Sequence, residues 1–576
     1  MADRTPPRSR WLWPAAAAPA LIVTAPLLGF SLQGDERQRA YEAARLYGSN
    51  PLEAARGVYT DIGVFLDHGN FRPIGRFTEA IERSFTVEAA EATGLTLSAV
   101  QGVLRVLAVA VLAVVATRVA AALASPQTSP ATARLHPATA LYPLIFAAVL
   151  VAAGPAGSLT KYSFRIIGWM ILILLLALAV ARDRDLQARP VSWRELALMA
   201  SLGLAASLTY DLVYVAPPLA AVFMLARNAA NGHPLKNVLR TAALRRWAAF
   251  SAGFLAAFVP VRLIIADRCG QNDCYAASEI DVSGEMVQMA AGRALSGAPP
   301  AGWHHVSELV RYADLRTPPW PSIPPGVDPG AVRADEVTYG VSDFAANSLI
   351  AVLLAATILV TVRSARSAAR LADAEPGATG SLRPAASLGA FGAAATLLGA
   401  LLVSPSAWLR WWAPQIGEAW RESVLVQTGW SFMIASVVAA AGASASRARR
   451  SNAAAAGHSS RRSSSRIRRV TWRTAAAIVG IGVALTLLAN ARMAHIDRAT
   501  PVSTLVNEIS AAALSIDPTE RGNAHRCSLI DAYTQIFPDP DWWQGGPNHR
   551  AALDEFMLDR HGWPFCDPTL LTHPSQ

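Results

Sequence analysis

A short stretch, residues 59–77, combines five side chains that could do chemistry: Asp61, Asp67, His68, Arg72 and Arg76. Two carboxylates can act as a general base or hold a divalent metal such as Mg²⁺ or Mn²⁺, and two arginines can bind a phosphate. The pattern therefore predicts a functional site. The competing interpretation is a solvated loop whose acids and arginines pair with each other, which is the commoner outcome for charged loops.

The composition indicates an integral membrane protein. The 576 residues are 52% hydrophobic and 16% charged, and several apolar runs are long enough to cross a bilayer. Alternating barrel strands are absent from the sequence, so the predicted fold class is an all-α polytopic membrane protein. The formal charge of +10 comes almost entirely from arginines. They concentrate in alternate loops, which is the positive-inside pattern of a membrane protein and argues against a nucleic-acid partner.

The apolar runs predict about 11 transmembrane helices, with the N-terminus inside and the C-terminus outside. We place them at about 11–32, 98–117, 139–154, 166–181, 195–209, 212–226, 247–265, 347–362, 386–404, 424–443 and 474–491.

The spans divide the chain into six predicted regions. Residues 1–32 hold the first helix, and residues 33–95 form an extracytoplasmic loop with the candidate site, folded as short amphipathic helices on the membrane surface. Helices 2–7 occupy residues 96–266, and a Pro-rich extracytoplasmic loop follows at 267–345, as either a lid over a substrate or a stiff cap. Residues 346–491 carry helices 8–11 with a basic cytoplasmic loop at 444–473, and residues 492–576 form an extracytoplasmic tail.

The four cysteines agree with this topology, because all of them fall outside, where disulfides form. We expect a Cys269–Cys274 bond in the Pro-rich loop and a Cys527–Cys566 bond that staples the tail. Sequence alone leaves the two other pairings open.

Three more candidate features, with four residues, fall on the predicted outer face. Asp211 lies where one span ends and the next begins, either as a site residue or as an acid that only reaches interfacial water. Arg410 and Arg421 stand among tryptophans, on the side where positive residues are depleted, and could bind the phosphate of a lipid carrier. Arg105 lies about eight residues inside its span and therefore needs a partner or water.

Four features together resemble a known family. They are the long acidic loop after the first span, the element Arg72-Pro-Ile-Gly-Arg76, the pair Tyr210-Asp211 ending a middle span, and the pair Trp420-Arg421 before a late span. The chain resembles the GT-C class of polytopic membrane glycosyltransferases, and most closely the phage-type O-antigen glucosyltransferases and the actinobacterial arabinofuranosyltransferases. An adjacent pair of acids in the first loop, which belongs to the family pattern, is missing here.

The resemblance implies transfer of a sugar from a polyprenyl-phosphate donor to an envelope glycan or lipid, on the outer face of a plasma membrane. Asp61 or Asp67 would be the catalytic base, and the substrate and its phosphate would be bound by six residues: His68, Arg72, Arg76, Asp211, Arg410 and Arg421. The Ala- and Arg-rich composition suggests a bacterial, actinobacterial source. Two alternatives remain: a transporter or flippase for a lipid-linked or polar solute, and a non-catalytic scaffold of the envelope.

Overall fold

A computed structural model of the chain describes most of its residues. These are 12–32, 34–48, 50–124, 136–152, 159–160, 162–181, 191–232, 238, 241–269, 280, 282–299, 303, 341–374, 381–406, 420–456, 461–499, 501–515, 517–540 and 545–571. They are overwhelmingly helical, and the β structure among them is one isolated bridge between Ile280 and Ser406. The predicted all-α class is therefore confirmed.

The helices follow one another along the whole chain. The first ten are α1 Leu12–Thr24, α2 Gly34–Tyr47, α3 Pro51–Thr60, α4 Ile62–Asp67, α5 Pro73–Thr93, α6 Leu97–Ala124, α7 Pro137–Val149, α8 Phe164–Val180, α9 Trp193–Ser207 and α10 Ala216–Ala230. The others are α11 Ala242–Cys269, α12 Gly284–Ser296, α13 Val341–Ala374, α14 Arg383–Val403, α15 Ser423–Ala456, α16 Arg461–Ala499, α17 Pro501–Leu514, α18 Glu520–Ile536 and α19 Gly546–His561. Short 3₁₀ turns lie at Ala25–Leu27, Asp211–Val215 and Pro568–Leu571.

Seven helices in the described part of the chain are long and apolar enough to cross a membrane. They are α6, α10 together with the turn before it (Asp211–Ala230), α11, α13, α14, α15 and α16, where the last four count by their apolar stretches. Each coincides with a predicted span. The other four predicted spans also fall on helices, α1, α7, α8 and α9, but those are shorter. The chain therefore has the helices of a multi-pass membrane protein, and helix length alone does not establish the predicted count of eleven.

The bundle is held together by a core of close-packed aromatic rings. Phe391 of α14 packs edge-on against Phe432 of α15 and Phe223 of α10, at centroid distances of 4.9 and 5.6 Å. Tyr142 of α7 lies 5.0 Å from Phe432, and its hydroxyl bonds to Ser431 at 2.7 Å. Such ring pairs fix four helices against one another.

A second hydrophobic core joins the first loop to the tail. Tyr41 of α2 packs on Phe556 of α19 at 5.2 Å, and Val87 of α5 is buried in the same cluster. We call the unit formed by α2, α5, α17, α18 and α19 the cap. Its disulfide, Cys527–Cys566, is the predicted one and is confirmed. Cys274 lies outside the described residues, so its pairing with Cys269 stays a prediction.

Candidate functional site

The candidate site begins where α5 docks on the turn after α9. The amide of Ile74 donates to the carbonyl of Leu208 at 3.0 Å. One residue later, a Cβ on Gly75 would overlap the carbonyl oxygen of Thr209, so only glycine allows this approach. The contact brings Arg72, the residue before α5, beside Asp211.

We expect Gly75→Ala to lower the free energy of unfolding by about 1–3 kcal/mol, because backbone must move to make room for the methyl group. Thermal unfolding in detergent measures this. Gly63→Ala on α4 is the matched control, because a Cβ there meets nothing. Equal midpoints for the two variants would contradict the docking.

Two arginines from distant parts of the chain meet at Tyr210. The Arg72 guanidinium lies 4.8 Å from the centre of the Tyr210 ring, and its Nη1 donates to Asp211 at 3.1 Å. From another direction, Arg421 donates to the Tyr210 hydroxyl and stacks on Tyr162 at 4.8 Å. We call Arg72, Tyr210, Asp211 and Arg421 the arginine site. Three of its members, Arg72, Asp211 and Arg421, were predicted as substrate-binding residues, and the structure brings them together.

Next to the arginine site lies a group of buried charges that the sequence did not reveal. We call Glu36, Glu79, Glu82, Arg83 and Arg165 the acid cluster. Arg83 pairs with Glu36 at 3.2 Å and with Glu79 at 2.6 Å. Arg165, at the start of α8, reaches Glu79 at 3.3 Å, Glu82 at 3.7 Å and Glu36 at 3.8 Å. Arg76 extends the cluster toward Arg72 through an ion pair with Glu79 at 3.2 Å.

The carboxyl groups of the acid cluster have different proton affinities. Burial would raise the pKa of Glu79, but Arg165, Arg83 and Arg76 outweigh it and hold that pKa well below its usual range. Burial also raises the pKa of Glu36, but Arg83 and Arg165 outweigh burial, so that pKa is lowered. For Glu82 burial prevails, and its pKa rises to about 7. One cluster therefore combines ionised carboxylates with a carboxyl that takes up a proton near neutral pH.

The raised pKa of Glu82 predicts a loss of stability with rising pH. Above the usual pKa of 4.5 and up to about 7, the folded state binds the proton more strongly than the unfolded state does. The free energy of unfolding therefore falls as pH rises through that window, by an amount on the order of 2–3 kcal/mol. Glu36 and Glu79 have lowered pKa values, so their contributions to stability change with pH below this window.

Unfolding midpoints between about pH 5 and pH 8 test this. We expect the wild-type midpoint to fall across the range and the Glu82→Gln midpoint to stay nearly flat. Glu53→Gln, on an exposed carboxylate, is the control and should follow the wild type. A Glu82→Gln profile that is parallel to the wild-type profile would show that Glu82 is not the titrating group.

The structure does not bring the predicted bases to the arginines. Asp61 is exposed between α3 and α4, and Asp67 pairs with Arg268 at the end of α11. His68 is exposed, and its Nδ1 lies 2.8 Å from the carbonyl oxygen of Val64. The acids that pair with Arg72 and Arg76 are instead Asp211 and Glu79.

Two further predictions concern Arg410 and a metal. Arg410 lies outside the described residues, so its role stays a prediction. Within the described part of the chain, no group of three or more His, Cys, Asp or Glu side chains could hold a metal ion. The structure therefore gives no ligand set for Mg²⁺ or Mn²⁺ among these residues, and a metal role stays a prediction.

The connected charges of the two groups carry a positive excess. Counted together with Arg76 and Arg262, the two groups hold six arginines and four acids in ion pairs or ring contacts, which leaves two positive charges in excess when every group is ionised. The set is Arg72, Arg76, Arg83, Arg165, Arg262, Arg421, Glu36, Glu79, Glu82 and Asp211. Protonation of Glu82 would increase the excess. Such a site favours an anionic ligand.

No protein-family model, curated protein or solved structure matches the chain.

Proposed function

We propose that this chain transfers a sugar from a polyprenyl-phosphate donor to an envelope glycan or lipid, on the outer face of a bacterial plasma membrane. The observation that carries the proposal is the meeting of Arg72 and Arg421 at Tyr210. Two guanidinium groups around one ring repel each other, and a phosphate between them would relieve that repulsion through charge-assisted hydrogen bonds. The Arg421 guanidinium also lies 4.8 Å from the centre of the Tyr162 ring and 4.7 Å from that of Trp420, so apolar rings surround the charge that a lipid-linked phosphate would meet.

Contacts at the helix ends support full traverses by the short helices α8 and α9. Arg165, at the start of α8, belongs to the acid cluster, whereas the carbonyl of Val180 at its end accepts from Arg246 of α11 at 3.4 Å. Helix α9 runs the other way. Glu195, near its start, pairs with the same Arg246 at 2.7 Å, and Thr209, just after its end, lies under α5.

Helix α7 also runs from face to face. His136 before it lies beside Trp472, near the start of the apolar stretch of α16, and the carbonyl of Val151 after it accepts from Gln427, near the start of α15. With α1, α7, α8 and α9 added to the seven longer helices, eleven spans place the first loop and the tail on one face, as their shared core requires. Arg227 and Arg246 lie at the other face, so the positive-inside rule supports a cap outside the cell.

The proposed reaction uses groups of the arginine site. The Asp211 side chain is 48% exposed and borders Arg72, so it can take the proton from an acceptor hydroxyl. The hydroxyl oxygen bonds to the anomeric carbon while the bond between that carbon and the phosphate oxygen breaks. Polyprenyl phosphate leaves with the negative charge that Arg72 and Arg421 stabilise. Asp61 and Asp67 stay the alternative bases that the family resemblance implies.

Binding of polyprenyl phosphate tests the first step. We expect Arg421→Met to weaken it by roughly 10–100-fold, because one charge-assisted interaction contributes about 1.5–3 kcal/mol. The readout is binding to purified protein, with polyprenol as the ligand that lacks phosphate. Arg268→Met is the matched control, because Arg268 lies on the same face but pairs with Asp67. Equal affinities for polyprenyl phosphate and polyprenol would refute a phosphate site.

A specific observation also favours a second candidate, a non-catalytic envelope scaffold. Arg72 and Arg76 already have acidic partners in the chain, Asp211 and Glu79, as structural arginines do. The cap, built from the first loop and the tail, would then be the docking surface. This function predicts no phosphate-dependent binding at Arg421, so the same experiment distinguishes the two.

A further inference from the structure

Helix α12 belongs to the stretch that the sequence placed in a Pro-rich outer loop, yet it packs against the helix bundle. The indole nitrogen of Trp430, two turns into α15, donates to the carbonyl of Ala294 in α12 at 2.7 Å. Arg293 of α12 forms a buried ion pair with Glu422, the residue before α15. These contacts fix the position of α12 and the side that it turns toward the protein.

The same contacts place α12 at the cap-side end of the bundle. Helix α15 begins two residues after Arg421, a member of the arginine site, which adjoins α5 of the cap. Helix α14 packs against α12 and ends at Val403. Three residues later, Ser406 forms a β-bridge with Ile280, which precedes α12. Both α14 and α15 are long and apolar enough to cross a membrane, so α12 lies where a bilayer around them would have its cap-side surface.

The exposed side of α12 is divided into an apolar and a polar part. Val287, Ala291 and Leu295 are exposed, and their spacing of four residues puts them on one side of the helix. We call these three residues the apolar face; Val287 is 61% exposed and Leu295 is 62% exposed. Glu285 and Gln288 are also exposed and lie three residues apart on the neighbouring side. Helix α12 therefore has one side toward protein, one apolar side and one polar side.

A membrane surface is the environment that suits these three sides. A helix at the boundary between lipid and water turns apolar residues toward the acyl chains and polar residues toward the water. The neighbouring span supports this assignment, because Leu397 and Leu401, within the last two turns of α14, are exposed and apolar, as the lipid-facing side chains of a span are. Helix α12 packs against α14, so lipid chains that surround the end of this span also reach the exposed side of α12.

We propose that α12 is an interfacial helix whose apolar face inserts among the acyl chains of the cap-side leaflet, while Glu285 and Gln288 stay in the water at the head groups. The loop that contains α12 is thereby attached to the membrane as well as to the bundle. The ion pair of Arg293 with Glu422 keeps the apolar face turned outward, because rotation of α12 would separate two buried charges. This attachment does not depend on the proposed transfer reaction.

Spin labels on single added cysteines test the orientation of α12, in the full-length chain held in nanodiscs of phosphatidylcholine and phosphatidylglycerol. Molecular oxygen concentrates among lipid chains and a water-soluble nickel chelate stays outside them, so the ratio of their collision rates with a label reports its surroundings. We expect this ratio to be several-fold higher for Val287→Cys and Leu295→Cys than for Glu285→Cys and Gln288→Cys. All four side chains are exposed, so the labels leave the packing of α12 intact. The chain without an added cysteine gives the background from its own cysteines.

Two reference positions calibrate the measurement. Leu397→Cys on α14 should give the high ratio of a site in lipid, and Glu520→Cys, exposed on the cap, should give the low ratio of a site in water. If Val287→Cys and Leu295→Cys matched Glu520→Cys, the apolar face would lie in water and the interfacial helix would be refuted. Slow collisions with both reagents at Val287→Cys and Leu295→Cys would also overturn it, because protein, such as a second copy of the chain, would then cover the apolar face.

Discussion

Arg165→Met should lower the free energy of unfolding by about 3–5 kcal/mol, the cost typical of removing one member of a buried charge network. Arg165 is the group that Glu36, Glu79 and Glu82 share, at 3.3–3.8 Å. Methionine keeps most of the length and apolar surface of the side chain but leaves the three carboxyl groups with less compensating charge. The loss should be smaller near pH 5 than near pH 8, because protonation of the carboxyl groups relieves their repulsion.

Thermal or denaturant unfolding of the purified protein measures this effect. Arg194→Met is the matched control, because Arg194 is exposed and contacts the ring of Trp193. Adding Glu82→Gln to Arg165→Met should recover part of the loss, since it removes one of the carboxyl groups left without compensation. If Arg165→Met were as stable as Arg194→Met at every pH, the ion pairs of the acid cluster would not stabilise the fold.

Asp211→Asn should reduce the rate of sugar transfer by about 10²–10⁴-fold, the usual contribution of a positioned general base. Asparagine keeps the shape of the side chain and can still accept a hydrogen bond from Arg72, so the fold and the binding of polyprenyl phosphate should change little. The rate constant of the chemical step should therefore fall far more than donor affinity.

Asp61→Asn and Asp67→Asn are the comparison variants. Both side chains are exposed, and Asp67 pairs with Arg268 rather than with Arg72 or Arg76, so we expect each variant to retain most of the activity. A loss confined to Asp61→Asn or Asp67→Asn would return the role of base to the acid that the family resemblance implies.

The helices were largely predictable, because a membrane span needs a long apolar run and such runs are visible in sequence. Every predicted span falls on a helix. The neighbourhood of Arg72, Asp211 and Arg421 was also predictable, since Asp211 and Arg421 lie at the ends of spans and Arg72 lies in the first loop, all on one predicted face. The Cys527–Cys566 bond was expected because both residues lie in the tail, on the predicted oxidising side, although the sequence left two other pairings open.

The acid cluster was not predictable for a physical reason. Glu79, Glu82 and Arg83 resemble the solvated face of an amphipathic surface helix, and their burial depends on α2 and α8 covering α5. A signal was present, because these residues share one helical stripe with Val87 and Ala90, which are apolar. Nothing local to Arg165 indicated that the start of α8 would face that stripe.

The contacts of Asp61 and Asp67 could not be predicted for a related reason. The sequence predicted short helices in this loop, and the structure has α3 and α4 there. Which way a loop acid points is set by neighbours far away in sequence, here Arg268 for Asp67, and spacing within the loop carries no information about them.

The decisive measurement is transfer of labelled sugar from polyprenyl phosphate to envelope acceptors by the purified chain in lipid nanodiscs. We expect labelled glycan and free polyprenyl phosphate to appear together with the wild type. Transfer should fall strongly with Asp211→Asn or Arg421→Met and continue with Arg268→Met. Binding of polyprenyl phosphate without any transfer, across hexose and pentose donors, would contradict the enzyme and leave the scaffold as the function of this chain.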